Sequence, residues 1–267
     1  MSQTARRGAE LLDEIDNTTG PSPVLWWLGH SGFVVKHQGI VFYVDPCLSS
    51  PQGRTRATPP PLAPDQISNA DLILCTHAHS THMDPGTLPA MLKASPRARV
   101  VLPKSTAEYA DSIGVPYARM TTTDSDLRVE YFKGGLYGRV YSVPSAHQAL
   151  DWTPLGGYPY LGYLIRFGEY TIYHAGDCCV YDGIVDRLRP YNVRVALLPI
   201  SGKGNFEIAE AAQLAEDIGA RWLVPMHYGV FSDDGPAIVN RFINHMLGFR
   251  PSLGFKVFEC GERWVIP

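Results

Sequence analysis

Three histidines, His77, His79 and His82, fall within six residues directly behind the apolar run Leu72-Ile73-Leu74-Cys75. A short apolar run bounded by polar residues reads as a buried strand, so the histidines occupy the loop at its C-terminal end. Neutral imidazoles gain little from crowding unless something positive draws them together, and a loop held by a rigid strand can aim several rings at one point. The H-x-H-x-x-H spacing therefore reads as a metal-binding loop. A lone histidine at any of these positions would read instead as a hydrogen-bonded or surface residue.

The rest of the chain alternates short β-rich runs with helical segments. Residues 5 to 16 form an amphipathic helix ended by Gly20-Pro21. Three runs follow at 24–28, 32–35 and 40–44, separated by tight turns, and the third ends at Asp45-Pro46. Residues 49–66 are too rich in proline, serine and glycine for regular structure, and Arg54 and Arg56 there read as solvated rather than as anion contacts. Asp84-Pro85 has the pattern of a helix start, which favours capping over metal binding for Asp84. Further strands are expected at 99–102, 128–132, 139–143, 163–167, 170–174, 195–199 and 222–226, with helices over 105–113, 183–189, 207–218 and 242–247.

Four of these strands end on ligand-type residues: His77, His79 and His82; His147; Asp177; and His227. Taken singly, His147 is a loop histidine, Asp177 a turn former after glycine and His227 a satisfied core histidine. Repetition of the pattern at four strand-to-loop junctions favours one site assembled at the edge of a rigid scaffold.

These residues resemble the metallo-β-lactamase-fold hydrolases. The likeness rests on His77-x-His79-x-x-His82, His147, Asp177 and His227 in the family's order, with Asp45 at its first acidic position, and it covers nearly everything from Leu25 onward. Within that superfamily, Trp27-Leu28-Gly29-His30-Ser31-Gly32, Tyr173-His174-Ala175-Gly176-Asp177 and Pro225-Met226-His227-Tyr228 resemble the branch that holds L-ascorbate-6-phosphate lactonase and related metal-dependent hydrolases. The resemblance implies a four-layer αββα sandwich of the α/β (α+β) class, formed by one domain over 23–267 with a helical extension over 1–22. It also implies one or two divalent ions. His77, His79 and His147 would hold the first, His82 and His227 the second, and Asp177 would bridge both. Asp177 and His227 are then the residues expected to take part in catalysis. Nitrogen-dominated ligation with one carboxylate suits zinc or manganese, and hydrolysis by metal-bound hydroxide follows from that chemistry.

One position departs from the family pattern. Thr81 stands where the family has the aspartate that ligates the second ion, so the second site is expected to be weakened. Asp45 is expected to orient a ligand histidine, with Thr81 beside it, while Lys203, Asn205 and His30 are candidates for substrate contact. The implied activity is hydrolysis of a small, anionic ester or lactone of the sugar-phosphate type. The alternatives are a phosphodiesterase on the same site, and a catalytically impaired metal-binding or sensor homologue that keeps the fold.

Composition narrows the partners. A net charge of −3 with 45% hydrophobic residues is unlike a nucleic-acid binder with a basic face, and no apolar run reaches membrane-spanning length. Five cysteines without C-x-x-C spacing, and a charged N-terminal stretch with no signal-peptide core, fit the cytoplasm. Trp152, Tyr158 and Tyr160 suit either a pocket lining or a contact between subunits of a homo-oligomer.

Overall fold

A computed structural model describes residues 5–51, 53–235 and 237–267. In chain order the elements are α1 (Gly8–Asn17), β1 (Val24–Gly29), β2 (Gly32–His37), β3 (Ile40–Val44), β4 (Leu72–Leu74), α2 (Leu88–Ala94), β5 (Arg99–Pro103), α3 (Ala107–Ser112), β6 (Met120–Thr123), β7 (Arg128–Lys133) and β8 (Leu136–Pro144). They continue with β9 (Ala146–His147), β10 (Ala149–Leu150), β11 (Leu161–Phe167), β12 (Tyr170–His174), α4 (Ile184–Leu188), β13 (Val195–Pro199), α5 (Ile208–Asp217), β14 (Trp222–Met226), α6 (Ala237–Phe249), β15 (Gly254–Phe255) and β16 (Arg263–Val265). Two seven-stranded mixed sheets result, ordered β16-β1-β2-β3-β4-β5-β6 and β15-β14-β13-β12-β11-β8-β7, with β9 and β10 as a separate small ribbon.

Strand alternation explains the layering. Leu25 and Trp27 of β1, Phe42 and Val44 of β3, Tyr163 and Ile165 of β11, and Val195 and Leu197 of β13 meet in one central core between the sheets. The intervening residues point outward. Trp26, Val41 and Tyr43 lie under α1 and α2, where Leu11 and Ile15 of α1 and Met91 of α2 cover them, while Leu164, Ala196 and Leu198 lie under α4, α5 and α6. Both faces of the central strands are thus buried, which is why they read as nearly continuous apolar runs. This is the αββα sandwich that the resemblance implied. Helix α1 is fastened to the first sheet by Lys36, whose Nζ donates to the Ile15 and Asp16 carbonyls, and by Trp26 Nε1, which donates to Glu14 at 2.9 Å.

Several local expectations change. Strand β6 was not anticipated, because Met120-Thr121-Thr122-Thr123 lacks an apolar run; it is recruited by parallel pairing with β5. Helix α2 starts only at Leu88, without a side-chain cap, and Asp84 serves the preceding turn instead. Its carboxylate accepts from the Ser49 and Gly86 amides and from the Ser49 and Thr87 hydroxyls. A genuine capping box occurs at α5, where Glu207 and Glu210 satisfy each other's backbone amides. Arg54 and Arg56 are not simply solvated. Arg56 donates to the Cys47, Ser49 and Thr58 carbonyls, and Arg54 pairs with Asp233 and Asp234 over the Phe231 ring. Among the described residues, no helix is long and apolar enough to cross a membrane.

Candidate metal centre

Parallel pairing of β3 with β4 and of β12, β13 and β14 with one another sends their C-terminal ends to the same edge of the sandwich. The loops leaving β4, β12 and β14, together with β9, bring His77, His79, His82, His147, Asp177 and His227 to that edge. Asp177 is the common neighbour. Its Oδ2 lies 3.3 Å from His77 Nε2, 3.4 Å from His79 Nδ1 and 3.8 Å from His147 Nδ1. Its Oδ1 lies 3.1 Å from His82 Nε2 and 3.3 Å from His227 Nε2. The two carboxylate oxygens therefore face two different sets of imidazoles.

The side chains behind these rings decide which nitrogen is offered. Asp45 is fully buried. Its Oδ1 accepts from the Thr76 amide at 2.8 Å, and its Oδ2 accepts from Thr76 Oγ1 at 2.7 Å and from His82 Nδ1 at 2.7 Å. Because Thr76 Oγ1 spends its only hydrogen on Asp45, it must accept from His77 Nδ1, 3.0 Å away. Both His77 and His82 thus carry a proton on Nδ1, which leaves Nε2 as the nitrogen that faces Asp177. Thr76 was not singled out from the sequence, since nothing local marks a threonine after a strand as the link between two rings. Gly176 makes the link geometrically available: at φ +63 it turns the chain, and a Cβ there would sit 2.8 Å from Thr76 Cβ.

Electrostatics fit the same arrangement. Burial pushes His77 down to about 4 and His227 to about 3, and it also holds His30 well below the usual imidazole range, so these rings are neutral. Burial also opposes charge on His82 and on Asp177, but their mutual attraction outweighs it. Asp177 stays ionised well below the usual carboxylate range, and the Asp177 and Asp45 carboxylates hold His82 up at about 10. The field of the buried carboxylates thus favours positive charge among the rings.

Does the donor set suit a divalent cation? His77 Nε2, His82 Nε2, His147 Nδ1, His227 Nε2 and Asp177 Oδ1 are buried without a hydrogen-bond partner, a cost that native structures seldom accept unless a ligand takes up the groups. Two atoms each ~2.1 Å from one ion lie roughly 3.0–3.4 Å apart, close to the nitrogen-to-oxygen separations around Asp177. Nitrogen donors with one shared carboxylate are the ligands of zinc-type ions, and the residues fit such a group.

The remaining candidates fall around this centre. Thr81, Lys203, Asn205 and His30 line one cavity of about 540 Å³ together with His79, Asp177, His227, Arg54 and Arg241. Asn205 Oδ1 accepts from the Cys178 amide at 2.9 Å, so its amide nitrogen is what it can offer a ligand. His174 lies outside the set. Its Nε2 donates to the Ser31 carbonyl at 2.8 Å and its Nδ1 accepts from the Gly176 amide, which occupies both ring nitrogens. Of the aromatic loop, Tyr160 packs its ring 5.0 Å from His77 and 5.5 Å from His147, whereas Trp152 is exposed. His30, Asp45 and His227 all hold left-handed backbone conformations (φ +54, +43 and +65). Such conformations cost non-glycine residues about 1–2 kcal/mol each and cluster where a side chain is needed.

Comparison with known proteins gives a concordant result. A beta-lactamase superfamily domain matches residues 24–227. The chain is 30% identical over 207 residues to a UPF0173 metal-dependent hydrolase of Pyrobaculum neutrophilum, covering 77% of this chain and 84% of that one. It is 31% identical over 218 residues to a UPF0173 metal-dependent hydrolase of Myxococcus xanthus, covering 80% and 73%. A metallo hydrolase from the archaeon Ignicoccus hospitalis superposes with a TM-score of 0.70 at 22% identity, over 92% of this chain and 99% of that one, a likeness that speaks for the fold alone.

Proposed function

Since this chain belongs to the metallo-β-lactamase-fold superfamily, among its UPF0173 metal-dependent hydrolases, we propose that it hydrolyses a small, anionic ester or lactone of the sugar-phosphate type. The observation that carries the reading is the double-sided Asp177, with His77, His79 and His147 on one carboxylate oxygen and His82 and His227 on the other. These six residues would hold zinc or manganese. When bound, such an ion supplies positive charge that polarises a carbonyl or phosphoryl oxygen and acidifies water.

The chain's own groups do the rest. Asp177 remains ionised and ties both sets of rings together. Asp45 and Thr76 hold the proton of His82 and His77 on the far side of each ring. Lys203 and Arg241, both on the cavity wall, favour an anionic group on the substrate, and Arg54 is kept in place there by Asp233 and Asp234. A cavity of about 540 Å³ fits a metabolite rather than a polymer. Five free cysteines accord with work in a reducing, cytoplasmic compartment.

Turnover of phosphorylated sugar lactones and of bis-para-nitrophenyl phosphate, with zinc or manganese added, tests the assignment. Lactone opening that disappears in Asp177→Asn supports it. Turnover of the diester alone would favour the phosphodiesterase reading, and inactivity on a broad ester and diester panel would favour a metal-binding sensor.

A further inference from the structure

Beyond the metal centre, the cavity wall carries three cations, Arg54, Lys203 and Arg241, and two acids, Asp233 and Asp234. The two acids are held unequally. The Asp234 side chain is 5% exposed: its Oδ2 accepts from the Val230 and Phe231 amides at 3.0 and 2.9 Å, and its Oδ1 accepts from Arg54 Nη2 at 2.7 Å. The Asp233 side chain is 62% exposed, and its Oδ1 accepts from Arg54 Nη2 at 2.8 Å and from Arg54 Nε at 3.3 Å.

Arg54 does not need both acids to keep its place. Its guanidinium carbon lies 4.0 Å from the centre of the Phe231 ring, its amide donates to the Pro51 carbonyl at 3.0 Å, and the next residue, Thr55, accepts from the Ser232 amide at 2.9 Å. Asp233 therefore adds a second negative charge to a cation that the buried Asp234 already neutralises, and an exposed pair of this kind contributes little. The Arg54 hydrogen bonds hold Asp233 below the usual carboxylate range, and the charge of Lys203 adds to them. Lys203 stands at φ +55 between Gly202 (φ +63) and Gly204 (φ +90), a left-handed run that a lysine resists and that puts it on the cavity wall. An exposed carboxylate thus lies in the field of two cations, where an anion from outside would also settle.

We infer that Asp233 stands in for the substrate's anionic group: it occupies an anion subsite formed by Arg54 and Lys203, and a phosphate group displaces it, leaving Arg54 anchored by Asp234 and Phe231. This rests on the hydrolase reading given above and adds to it the residues that set specificity. A phosphate group restores at the guanidinium fork the charge-assisted bonds that Asp233 gives up. A neutral ester has nothing to put there, so the Arg54–Asp233 pair stays closed against it. The pair selects for charge without any steric clash.

A double-mutant cycle tests the displacement. Wild-type protein, Asp233→Asn, Arg54→Gln and the double variant, each loaded with zinc, are titrated with inorganic phosphate by calorimetry, with circular dichroism to verify folding. None of the substitutions is among the residues around Asp177, so phosphate taken up by an ion is common to all four proteins. Asp233→Asn is expected to bind phosphate roughly threefold to tenfold more tightly than the wild type, the scale for removing one exposed like charge at contact distance. It should raise by the same factor the kcat/KM ratio of a phosphorylated over an unphosphorylated lactone. In the Arg54→Gln background the gain in phosphate affinity should fall below about twofold, because the cation that Asp233 blocks is gone. Should Arg54→Gln not fold, Arg54→Met, which keeps an apolar contact with Phe231, takes its place. No gain in Asp233→Asn would overturn the inference, and so would an equal gain with and without Arg54, which would mark a diffuse charge effect. Failure of the hydrolase reading is distinct: the phosphate cycle would hold while the wild type opened no lactone.

Discussion

Asp45 offers a sharp test because its two oxygens serve three donors of fixed identity: the Thr76 amide, the Thr76 hydroxyl and His82 Nδ1. Asp45→Asn preserves size but turns one oxygen into an NH2 group. If the amide oxygen faces the Thr76 amide, the NH2 faces the hydroxyl and His82. The hydroxyl can rotate, but His82 must then accept on Nδ1 and carry its proton on Nε2, the nitrogen aimed at Asp177. If the amide is flipped, NH2 opposes the Thr76 N–H and a buried donor goes unpaired. Either arrangement loses one charge-assisted hydrogen bond in a fully buried position, on the order of 1.5–3 kcal/mol. In metal affinity that corresponds to roughly 10–100-fold, the range for a lost partner of a ligand histidine. Competition against a chromophoric chelator at constant pH measures it. Wild-type affinity in a folded Asp45→Asn protein would refute the tautomer argument.

Other consequences are open to simpler assays. Chelation with EDTA should abolish hydrolysis and lower the thermal midpoint, and zinc or manganese should restore both; an ion at a hundredfold excess over its Kd adds about 2.7 kcal/mol of stability. Lys203→Ala should raise KM for a phosphorylated substrate roughly twofold to fivefold with kcat nearly unchanged, the scale of an exposed ion pair, and an unchanged KM would remove Lys203 from substrate binding. Phe42→Ala, in the central core, should cost about 3–5 kcal/mol in denaturant unfolding. Tyr163→Phe removes only the bond from its hydroxyl to the Cys75 carbonyl and should cost roughly 1 kcal/mol, so equal losses from the two would contradict the packing described.

Much of the sandwich was legible because its strands announce themselves locally. Val195 to Pro199 and Trp222 to Met226 are apolar runs bounded by turns, and the observed strands carry those bounds. The ligand-type residues were visible for the same reason, since each directly follows such a run. What escaped the sequence depends on contacts between distant segments. Thr76 acquires its part only when Asp45, 31 positions away, folds beneath it. His30 reads from the sequence as a support or substrate-contact residue, and only the fold, through β14, places His227 against its ring. Asp84 looked like a helix cap because Asp-Pro is a frequent helix start, but Ser49 and Thr87 compete for its carboxylate, and the turn wins it. Strand β6 has no hydrophobic signature, and only pairing with β5 makes it one.

The central claim is that Asp177 divides a set of imidazoles around divalent cations. Anomalous diffraction from crystals grown with zinc, recorded above and below the metal edge, tests it most directly. The account predicts a peak within ~2.3 Å of His77 Nε2, His79 Nδ1, His147 Nδ1 and Asp177 Oδ2, and a second beside His82, His227 and Asp177 Oδ1. Anomalous density confined to the protein surface, with the ring nitrogens around Asp177 bonded to water or to one another, would contradict it.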